Sequence, residues 1–191
     1  MAVDIKPTAI AGCYEIHPRI FTDSRGSFVK TFHEDIFQQH GLNTHFAEEY
    51  YSHSGQNVLR GLHFQLPPQD HVKLVYCTAG EVLDAVVDLR VGSPTYGQFA
   101  TFSLSAENAI ALYIPKGLAH GFYAVSQQAT MLYRVSTVYS PEHDAGICWN
   151  SVGIPWPSVD PMLSKRDQTF PAFSNFASPF VYSDSAAAAS V

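Results

Sequence analysis

Four side chains suited to proton transfer or anion binding lie in or beside apolar segments of the sequence. Arg60 and His63 share one β-type segment, Lys73 lies in another, and His120 follows a Pro-Gly turn. Histidine has an ordinary pKa near about 6.5, so it can take up or release a proton at neutral pH. A lysine in an apolar strand either extends along the strand edge to solvent or lines a wet cavity. Taken alone, His63 is equally compatible with a hydrogen-bonded core histidine.

The spacing of Arg60 and His63 constrains the strand that carries them. Side chains separated by an odd number of residues point to opposite faces of a regular strand. If both residues serve one site, a bulge or bend near Gly61 must turn one of them.

Tyr133 and Asp167 are further candidates whose ordinary roles are structural. Tyr133 lies in the strand-like run Met131–Arg134, where a tyrosine usually packs in the core. Asp167 follows Ser164-Lys165-Arg166, and a solvated loop acid is its ordinary interpretation. The residue types alone leave both roles open.

A metal site is a competing interpretation of His120. Pro115-x-Gly117-x-x-His120 resembles the second half-motif of metal-binding cupins, whose first half supplies His-x-His and a Glu. The nearest counterpart, His63-Phe64-Gln65, lacks the second histidine, and the spacing of His71 and Glu81 does not match. A transition-metal site usually needs three or more protein ligands. We therefore expect no metal, while a jelly-roll scaffold remains favoured.

Short β-type runs separated by turn residues must position these candidates. The predicted helix Glu34–His40 is short and is followed by Gly41, a typical C-terminal stop. No amphipathic helices separate the strands, which excludes a parallel α/β fold and predicts an all-β sandwich, jelly roll or barrel. The predicted strands are Phe28–Phe32, Phe46–Ser52, Val58–Phe64, Val72–Thr78, Glu81–Arg90, Gln98–Leu104, Ala109–Ile114 and Ala129–Val138.

Two local predictions concern the middle of the chain. Thr78–Glu81 is interpreted as a tight hairpin turn between two strands. In the second of these strands, Val82 and Val86 are predicted to form a buried apolar face opposite a solvated face that carries Asp84 and Asp88, as expected of a half-buried strand.

Composition narrows the class of protein. Of 191 residues, 46% are apolar and 15% are charged, so the chain can bury a core and is not disordered. It contains no apolar run of about 18 residues and no secretory signal pattern. The net charge of −6 disfavours a nucleic-acid or membrane-surface role, since both need a basic face. An anionic ligand must then be held by arginines and lysines gathered in a cleft.

Cysteine usage and the C-terminal composition bear on location and domain organisation. Cys13, Cys77 and Cys148 are far apart, odd in number and match no zinc spacing. We interpret them as buried small hydrophobes in a reducing compartment and predict the cytoplasm. We also predict one domain over residues 1–182 and a flexible Ser/Ala-rich tail over residues 183–191.

A series of short blocks occurs in order along the chain: Asp23–Gly26, Val58–Gln65, Lys73–Val75, Gly80–Asp84, Leu104–Asn108, Ile114–Phe122 and Trp149–Asn150. Together they resemble the dTDP-4-dehydrorhamnose 3,5-epimerase family from Ile10 to Phe170. The resemblance implies a cupin-type jelly roll with one or a few short helices, assembled as a homodimer without metal or organic cofactor. It also implies inversion at the carbons that flank the 4-keto group of a nucleotide-linked 4-keto-6-deoxyhexose.

The resemblance further implies roles for individual residues. His63 would be the base that removes a proton beside the ketone, and Asp167 the carboxylate that fixes its tautomer. Tyr133 would be the acid on the opposite face, and Lys73 would hold the developing enolate oxygen. The residues implied to contact substrate are Arg25, Arg60, Lys73, His120 and Tyr139, together with Asp144 and Arg166, which stand where the family has Glu and Lys.

Three further positions depart from the family pattern. Lys30 stands where the family has Glu, and Glu48 and Tyr50 stand where it has Gln and Asn. The family residues help to hold the nucleotide and the sugar, so we hypothesise that the reaction is retained but that the nucleotide or the sugar differs from the usual one, with CDP- and GDP-linked sugars as candidates. The alternatives are a 3- or 5-monoepimerase, a ketoisomerase or metal-dependent oxygenase of the same sugars, and a non-catalytic binding cupin.

Overall fold

Two antiparallel β-sheets packed face to face form most of the structure, a computed structural model that describes residues 3–183. The first sheet has six strands, in the order β1 (Asp4–Pro7), β2 (Tyr14–His17), β10 (Ala111–Ile114), β7 (Lys73–Ala79), β12 (Gln128–Val135) and β5 (Glu48–Gly55). The second has five, in the order β13 (Asp144–Gly146), β6 (Leu59–Gln65), β11 (Leu118–Ala124), β8 (Glu81–Asp88) and β9 (Phe99–Ser105). This architecture confirms the predicted all-β jelly roll.

The remaining elements lie outside the two sheets. β3 (Ile20–Asp23) and β4 (Gly26–Val29) pair with each other as a separate hairpin. The helix α1 (Glu34–Gln39) confirms the predicted helix to within one residue. Between residues 3 and 183, no helix is long and apolar enough to cross a membrane. Of the predicted tail, residues 184–191 lie outside the described residues.

Apolar side chains form three layers around the sheets. The layer between the sheets includes Val75, Leu112, Met131, Val86, Leu104 and Phe122. A second layer places the C-terminal segment, through Phe176 and Phe180, against the five-stranded sheet. A third places Phe37 of α1 against the six-stranded sheet. Each fully buried large side chain contributes about 1.5–3 kcal/mol. Because both faces of the central strands are covered, these strands read as continuous apolar runs.

The prediction for β8 was wrong in the placement of its acids. Val82, Asp84, Val86 and Asp88 are two residues apart and therefore share one face, which is the inner one. Asp84 and Asp88 are both 0% exposed. A buried carboxylate needs partners, and Asp88 has Arg90, whose Nη2 donates at 2.7 Å. The acids of β8 therefore belong to the interior, not to a solvated face.

The predicted hairpin at Thr78–Glu81 was also wrong. β7 and β8 are separated by one residue but belong to different sheets, so the chain crosses between the sheets there. Gly80 has a φ of +73°, and a Cβ on it would lie 2.0 Å from the carbonyl oxygen of Gln128. Only glycine fits this crossing.

Several strands were not predicted, while those predicted from Val58 onward are confirmed with shifted ends. β1, β2, β3 and β13 are only three or four residues long. β11 was not predicted because it follows a Pro-Gly turn and contains Gly121 in its centre. A Cβ on Gly121 would lie 2.7 Å from the carbonyl oxygen of Arg60, so this glycine allows β11 and β6 to approach closely.

Candidate active site

A cavity of about 360 Å³ lies between the two sheets and is lined from both. Strands β5, β7 and β12 of one sheet and β6, β11 and β13 of the other contribute side chains. Among the predicted site residues, those that line the cavity are Arg60, His63, Lys73, His120, Tyr133, Tyr139, Asp144 and Arg166. The fold thus brings together residues that lie more than a hundred positions apart in the chain, such as His63 and Arg166.

The strand irregularity predicted near Gly61 is confirmed. In the pairing of β11 with β6, His120 lies opposite His63 and Phe122 lies opposite Arg60, so two residues of β6 face one residue of β11. This is the geometry of a bulge. It allows Arg60 and His63 to line the same cavity although their spacing is odd.

His63 and Asp167 form a hydrogen-bonded pair at the cavity wall. The distance from His63 Nε2 to Asp167 Oδ1 is 2.9 Å. Asp167 is 2% exposed and also accepts a hydrogen bond from the backbone N–H of Gly61 at 3.3 Å. Its predicted interpretation as a solvated loop acid is therefore wrong, because Asp167 packs beneath the histidine. When Nε2 donates its proton to Asp167, Nδ1 carries the lone pair that can accept a proton.

Burial keeps His63 neutral, and hydrogen bonds keep Asp167 ionised. Burial lowers the pKa of His63 below its ordinary value, and the positive charges of Arg166 and Lys73 act in the same direction, while Asp167 opposes them. For Asp167, burial favours the neutral acid, but hydrogen bonds from His63 and Gly61 outweigh it and lower the pKa. A neutral imidazole beside a carboxylate has the protonation state of a general base.

Tyr133 stands on the opposite sheet from His63. It is carried by β12, is 7% exposed, and its hydroxyl contacts Ser52 Oγ at 3.4 Å. Burial raises the pKa of Tyr133 well above its ordinary value, so the phenol keeps its proton at neutral pH. The imidazole and the phenol therefore line one cavity from opposite sheets.

Lys73 places a cation inside the cavity. It is 6% exposed, and its Nζ donates to the carbonyl oxygen of His63 at 3.2 Å. Burial lowers its pKa to about 8, while Asp144 and Asp84 favour the charged form. Of the two interpretations left open by the sequence, the position in a cavity is confirmed.

His120 has a carboxylate partner that the sequence did not reveal. Its Nε2 lies 2.8 Å from Asp84 Oδ2, and the two residues are 3% and 0% exposed. The available signal was an acid inside the apolar run Val82–Val86, but that acid was assigned to a solvated face. Ser52 was missed as well, because a serine in a strand gives no signal of its own.

The residues weighed as metal ligands serve other contacts. His71 lines the cavity with its Nδ1 at 3.2 Å from Gln65 Nε2, and Glu81 accepts a hydrogen bond from Ser103. Within residues 3–183, no group of three or more His, Cys, Asp or Glu side chains is arranged to hold a metal ion.

The cavity mouth carries charged and aromatic groups. Arg166 forms an ion pair with Asp144, which also accepts a hydrogen bond from the hydroxyl of Tyr139 at 3.2 Å. Glu48 accepts a hydrogen bond from the backbone N–H of Tyr139 at 2.6 Å. Arg166 is therefore paired with a carboxylate. Arg60, the other arginine that lines the cavity, has no carboxylate partner among the described residues.

Two predicted residues lie apart from the cavity. Arg25 is at the tip of the β3–β4 hairpin, its side chain is 87% exposed, and it pairs with Asp23 at 2.6 Å. Neither Arg25 nor Lys30 is among the side chains that line the cavity of this chain. The expectation that Arg25 contacts substrate is therefore not met within one copy of the chain.

Comparisons with known proteins match nearly the whole chain to one family. The family described as dTDP-4-dehydrorhamnose 3,5-epimerase matches residues 7–175. A dTDP-4-dehydrorhamnose 3,5-epimerase of Salmonella typhimurium is 43% identical over 175 residues, which cover 90% of this chain and 95% of the relative. A dTDP-4-dehydrorhamnose 3-epimerase of Streptomyces niveus is 40% identical over 167 residues, covering 86% of this chain and 81% of the relative.

A solved structure extends the similarity to three dimensions. The dTDP-6-deoxy-D-glucose-3,5-epimerase of Legionella pneumophila, crystallised with dTDP-4-keto-L-rhamnose, superimposes with a TM-score of 0.91 at 35% identity. The match covers 96% of this chain and 100% of that one. On the combined strength of these matches, the chain belongs to the dTDP-4-dehydrorhamnose 3,5-epimerase family.

Proposed function

We propose that the protein is a cofactor-independent isomerase that inverts the carbons flanking the 4-keto group of a dTDP-linked 4-keto-6-deoxyhexose, a step in deoxysugar biosynthesis. The observation that carries this proposal is the placement of His63, with its partner Asp167, and of Tyr133 on opposite sheets around one cavity. Inversion needs a base on one face of the sugar ring and an acid on the other.

His63 acts as the base in this proposal. A C–H bond beside a ketone is weakly acidic, and its proton passes to the lone pair of the imidazole, leaving an enolate. Asp167 holds the tautomer through its 2.9 Å contact and stabilises the imidazolium once it forms. Burial keeps the pKa of His63 below its ordinary value, so the base is neutral and ready at pH 7.

Tyr133 returns a proton to the opposite face of the enolate. Its raised pKa, caused by burial, keeps the hydroxyl protonated until a strong base such as a carbanion accepts the proton. The phenolate left behind then regains a proton from solvent, and the imidazolium of His63 releases its proton to solvent, which restores both groups. Return of the proton from the face opposite to removal inverts the carbon.

Lys73 supplies the positive charge that stabilises the enolate. A cation held in a buried site stabilises the developing oxyanion more strongly than one in water, and the loss of such a group typically costs about 10²–10³ in rate. His120, held by Asp84 at 2.8 Å, lines the same cavity and can form a hydrogen bond with a hydroxyl of the sugar.

The nucleotide diphosphate is the second recognition problem. Arg60 has no carboxylate partner among residues 3–183 and can form bidentate hydrogen bonds to a phosphate. Tyr139, 57% exposed at the mouth, offers a ring face beside the sugar or base. The relatives reported above are named for dTDP-linked sugars, which favours dTDP over the hypothesised CDP- and GDP-linked sugars.

A homodimer accounts for the position of Arg25. The β3–β4 hairpin carries exposed apolar side chains, Phe21 at 36% and Phe28 at 61%, which favours burial against a second copy of the chain. Arg25 would then reach the cavity of that copy. Co-expression of Arg25→Ala and His63→Asn chains tests this, because only mixed dimers would contain one complete site and recover activity.

The cysteines and the net charge support the proposed location and the proposed set of partners. The described cysteines are free and two of them are buried, which supports the cytoplasm. The net charge of −6 disfavours nucleic acid and membrane as partners, which leaves the nucleotide sugar and a second copy of the chain.

A monoepimerase is the second candidate, since the Streptomyces niveus relative is named a 3-epimerase. Both functions use the same base and acid, and they differ in the number of carbons that exchange. Incubating dTDP-4-keto-6-deoxyglucose with the protein in D₂O, followed by proton NMR, tests both. We expect deuterium at C3 and C5 with inversion at both carbons. Deuterium at one carbon identifies the monoepimerase, a 3-keto product identifies a ketoisomerase, and binding without exchange refutes catalysis.

A further inference from the structure

The ring of Tyr133 is held by aromatic neighbours. Tyr50 lies opposite it in the register of β5 with β12, and the two rings stack with centroids 4.9 Å apart and planes 17° apart. His120 meets the Tyr133 ring edge-on at 6.2 Å. The Tyr133 hydroxyl has a long 3.4 Å contact with Ser52, beyond the usual range for an O–H···O hydrogen bond. The orientation of the phenol therefore depends on ring packing more than on its hydroxyl.

Tyr50 is the outer member of this stack. It is 41% exposed, whereas Tyr133 is 7% exposed, so Tyr50 covers the phenol on the side of the cavity mouth. On the other side of β12, Tyr133 pairs in register with Val75, whose branched aliphatic side chain cannot stack on a ring. If Tyr50 is shortened, the phenol loses the face that opposes its rotation.

We infer that Tyr50 is a positioning residue that holds the phenol of Tyr133 against the substrate and thereby couples proton removal to inversion. This inference rests on the proposed function. His63 can remove a proton and return one to the same face, which produces isotope exchange without inversion. Only delivery from Tyr133, on the opposite sheet, produces inversion. The ratio of exchange to inversion therefore reports how often the phenol is in place.

Tyr50→Asn tests the inference, because asparagine, the family residue at this position, cannot stack on Tyr133. The measured quantity is a ratio of two outcomes of the same bound complex, so a change in substrate affinity alone does not alter it. An aromatic pair of this geometry corresponds to a factor of about 3–10 in population. We expect the ratio of deuterium exchange to inversion to rise by about 3- to 10-fold, measured by proton NMR in D₂O. Tyr50→Phe keeps the ring and is expected to restore the ratio of the unaltered protein.

Two controls separate positioning from a general structural effect. Tyr51→Asn makes the same change one residue along β5, at a side chain that is 65% exposed and does not line the cavity, so its ratio should not change. In a Tyr133→Phe background, Tyr50→Asn should add no further change, because the hydroxyl through which it acts is absent.

The outcomes are distinguishable. An unchanged ratio in Tyr50→Asn, a parallel loss of exchange and inversion, or an equal effect in the Tyr133→Phe background would each overturn the positioning role while leaving the proposed function standing. Retained exchange in Tyr50→Asn shows that the fold and the base are intact. Absence of exchange in the unaltered protein overturns the proposed function and this inference with it.

Discussion

The buried ammonium group of Lys73 predicts the alkaline limit of catalysis. Burial lowers its pKa to about 8 from an ordinary value of 10.5. In the proposed mechanism the rate requires the charged form, because a neutral amine cannot offset the charge of the enolate. As the pH rises through about 8, Lys73 loses its proton and kcat/KM falls. On the acid side, His63 must be neutral, and since burial lowers its pKa below 6.5, the acid limb lies below that value.

The expected size of the effect follows from the titration. At pH 9, one unit above a pKa of about 8, about a tenth of the Lys73 side chains remain charged, so kcat/KM should fall by about tenfold. The decline should level off once the loss reaches about 10²–10³, the contribution of the charge itself. The profile is therefore a bell with its plateau between the two limbs.

The assay is kcat/KM against pH from about 5 to 9.5, with two variants of Lys73. Lys73→Arg remains protonated throughout, so its alkaline limb should disappear even though misplacement of the charge lowers the rate. Lys73→Met should lose about 10²–10³ in rate and also lose the limb. A constant kcat/KM up to pH 9.5, or an alkaline limb that persists in both variants, would refute the reasoning.

The same shift predicts a gain in stability on removal of the charge. A folded-state pKa below the unfolded value means that the unfolded chain binds more protons between about 8 and 10.5, so the free energy of unfolding rises with pH in that window. A shift of this size corresponds to about 3 kcal/mol of cost at neutral pH. Lys73→Met should therefore raise the free energy of unfolding at pH 7 by up to about 3 kcal/mol in urea denaturation.

Three further substitutions test other parts of the molecule. His63→Asn should abolish deuterium exchange at the sugar carbons while nucleotide binding, measured by calorimetry, stays nearly unchanged; residual exchange would exclude His63 as the base. Tyr133→Phe should reduce inversion more than exchange, and full epimerase activity would exclude the phenol as the acid. Asp88→Ala should destabilise the fold by about 3–5 kcal/mol, because it leaves Arg90, 8% exposed, without its partner. Asp4→Ala, at a pair in which the Asp4 side chain is 66% exposed, is the matched control and should leave the denaturation midpoint unchanged.

Features of the fold whose physical cause lies in neighbouring residues could be predicted from the sequence. Strand composition and turn spacing predicted the β-runs from Val58 onward, and the parity of Arg60 and His63 predicted the bulge at Gly61. Steric clashes and side-chain alternation involve neighbouring residues, so a sequence carries them directly. The resemblance then connected these residues to a family that the comparisons confirm.

Burial was harder to predict because it depends on what covers a strand. Asp84 and Asp88 were assigned to a solvated face, yet both faces of β8 are covered, one by the opposite sheet and one by the C-terminal segment. Asp167 was an ordinary loop acid until the fold placed it under His63. The C-terminal segment that covers β8 is distant from it in sequence, as Asp167 is from His63, so no local pattern in the sequence shows either contact.

Residue types and spacing by themselves determined that the chain is all-β and which side chains could exchange protons. Tertiary structure alone decided that Gly80 carries the chain from one sheet to the other, and that His63 on β6 and Tyr133 on β12 lie in facing sheets. It also decided that Tyr50 stacks on Tyr133 and that Arg25 lies outside the cavity. The reason is physical. The chemical type of a side chain belongs to its own residue, whereas its partner, its solvent exposure and hence its pKa are determined by segments distant along the chain.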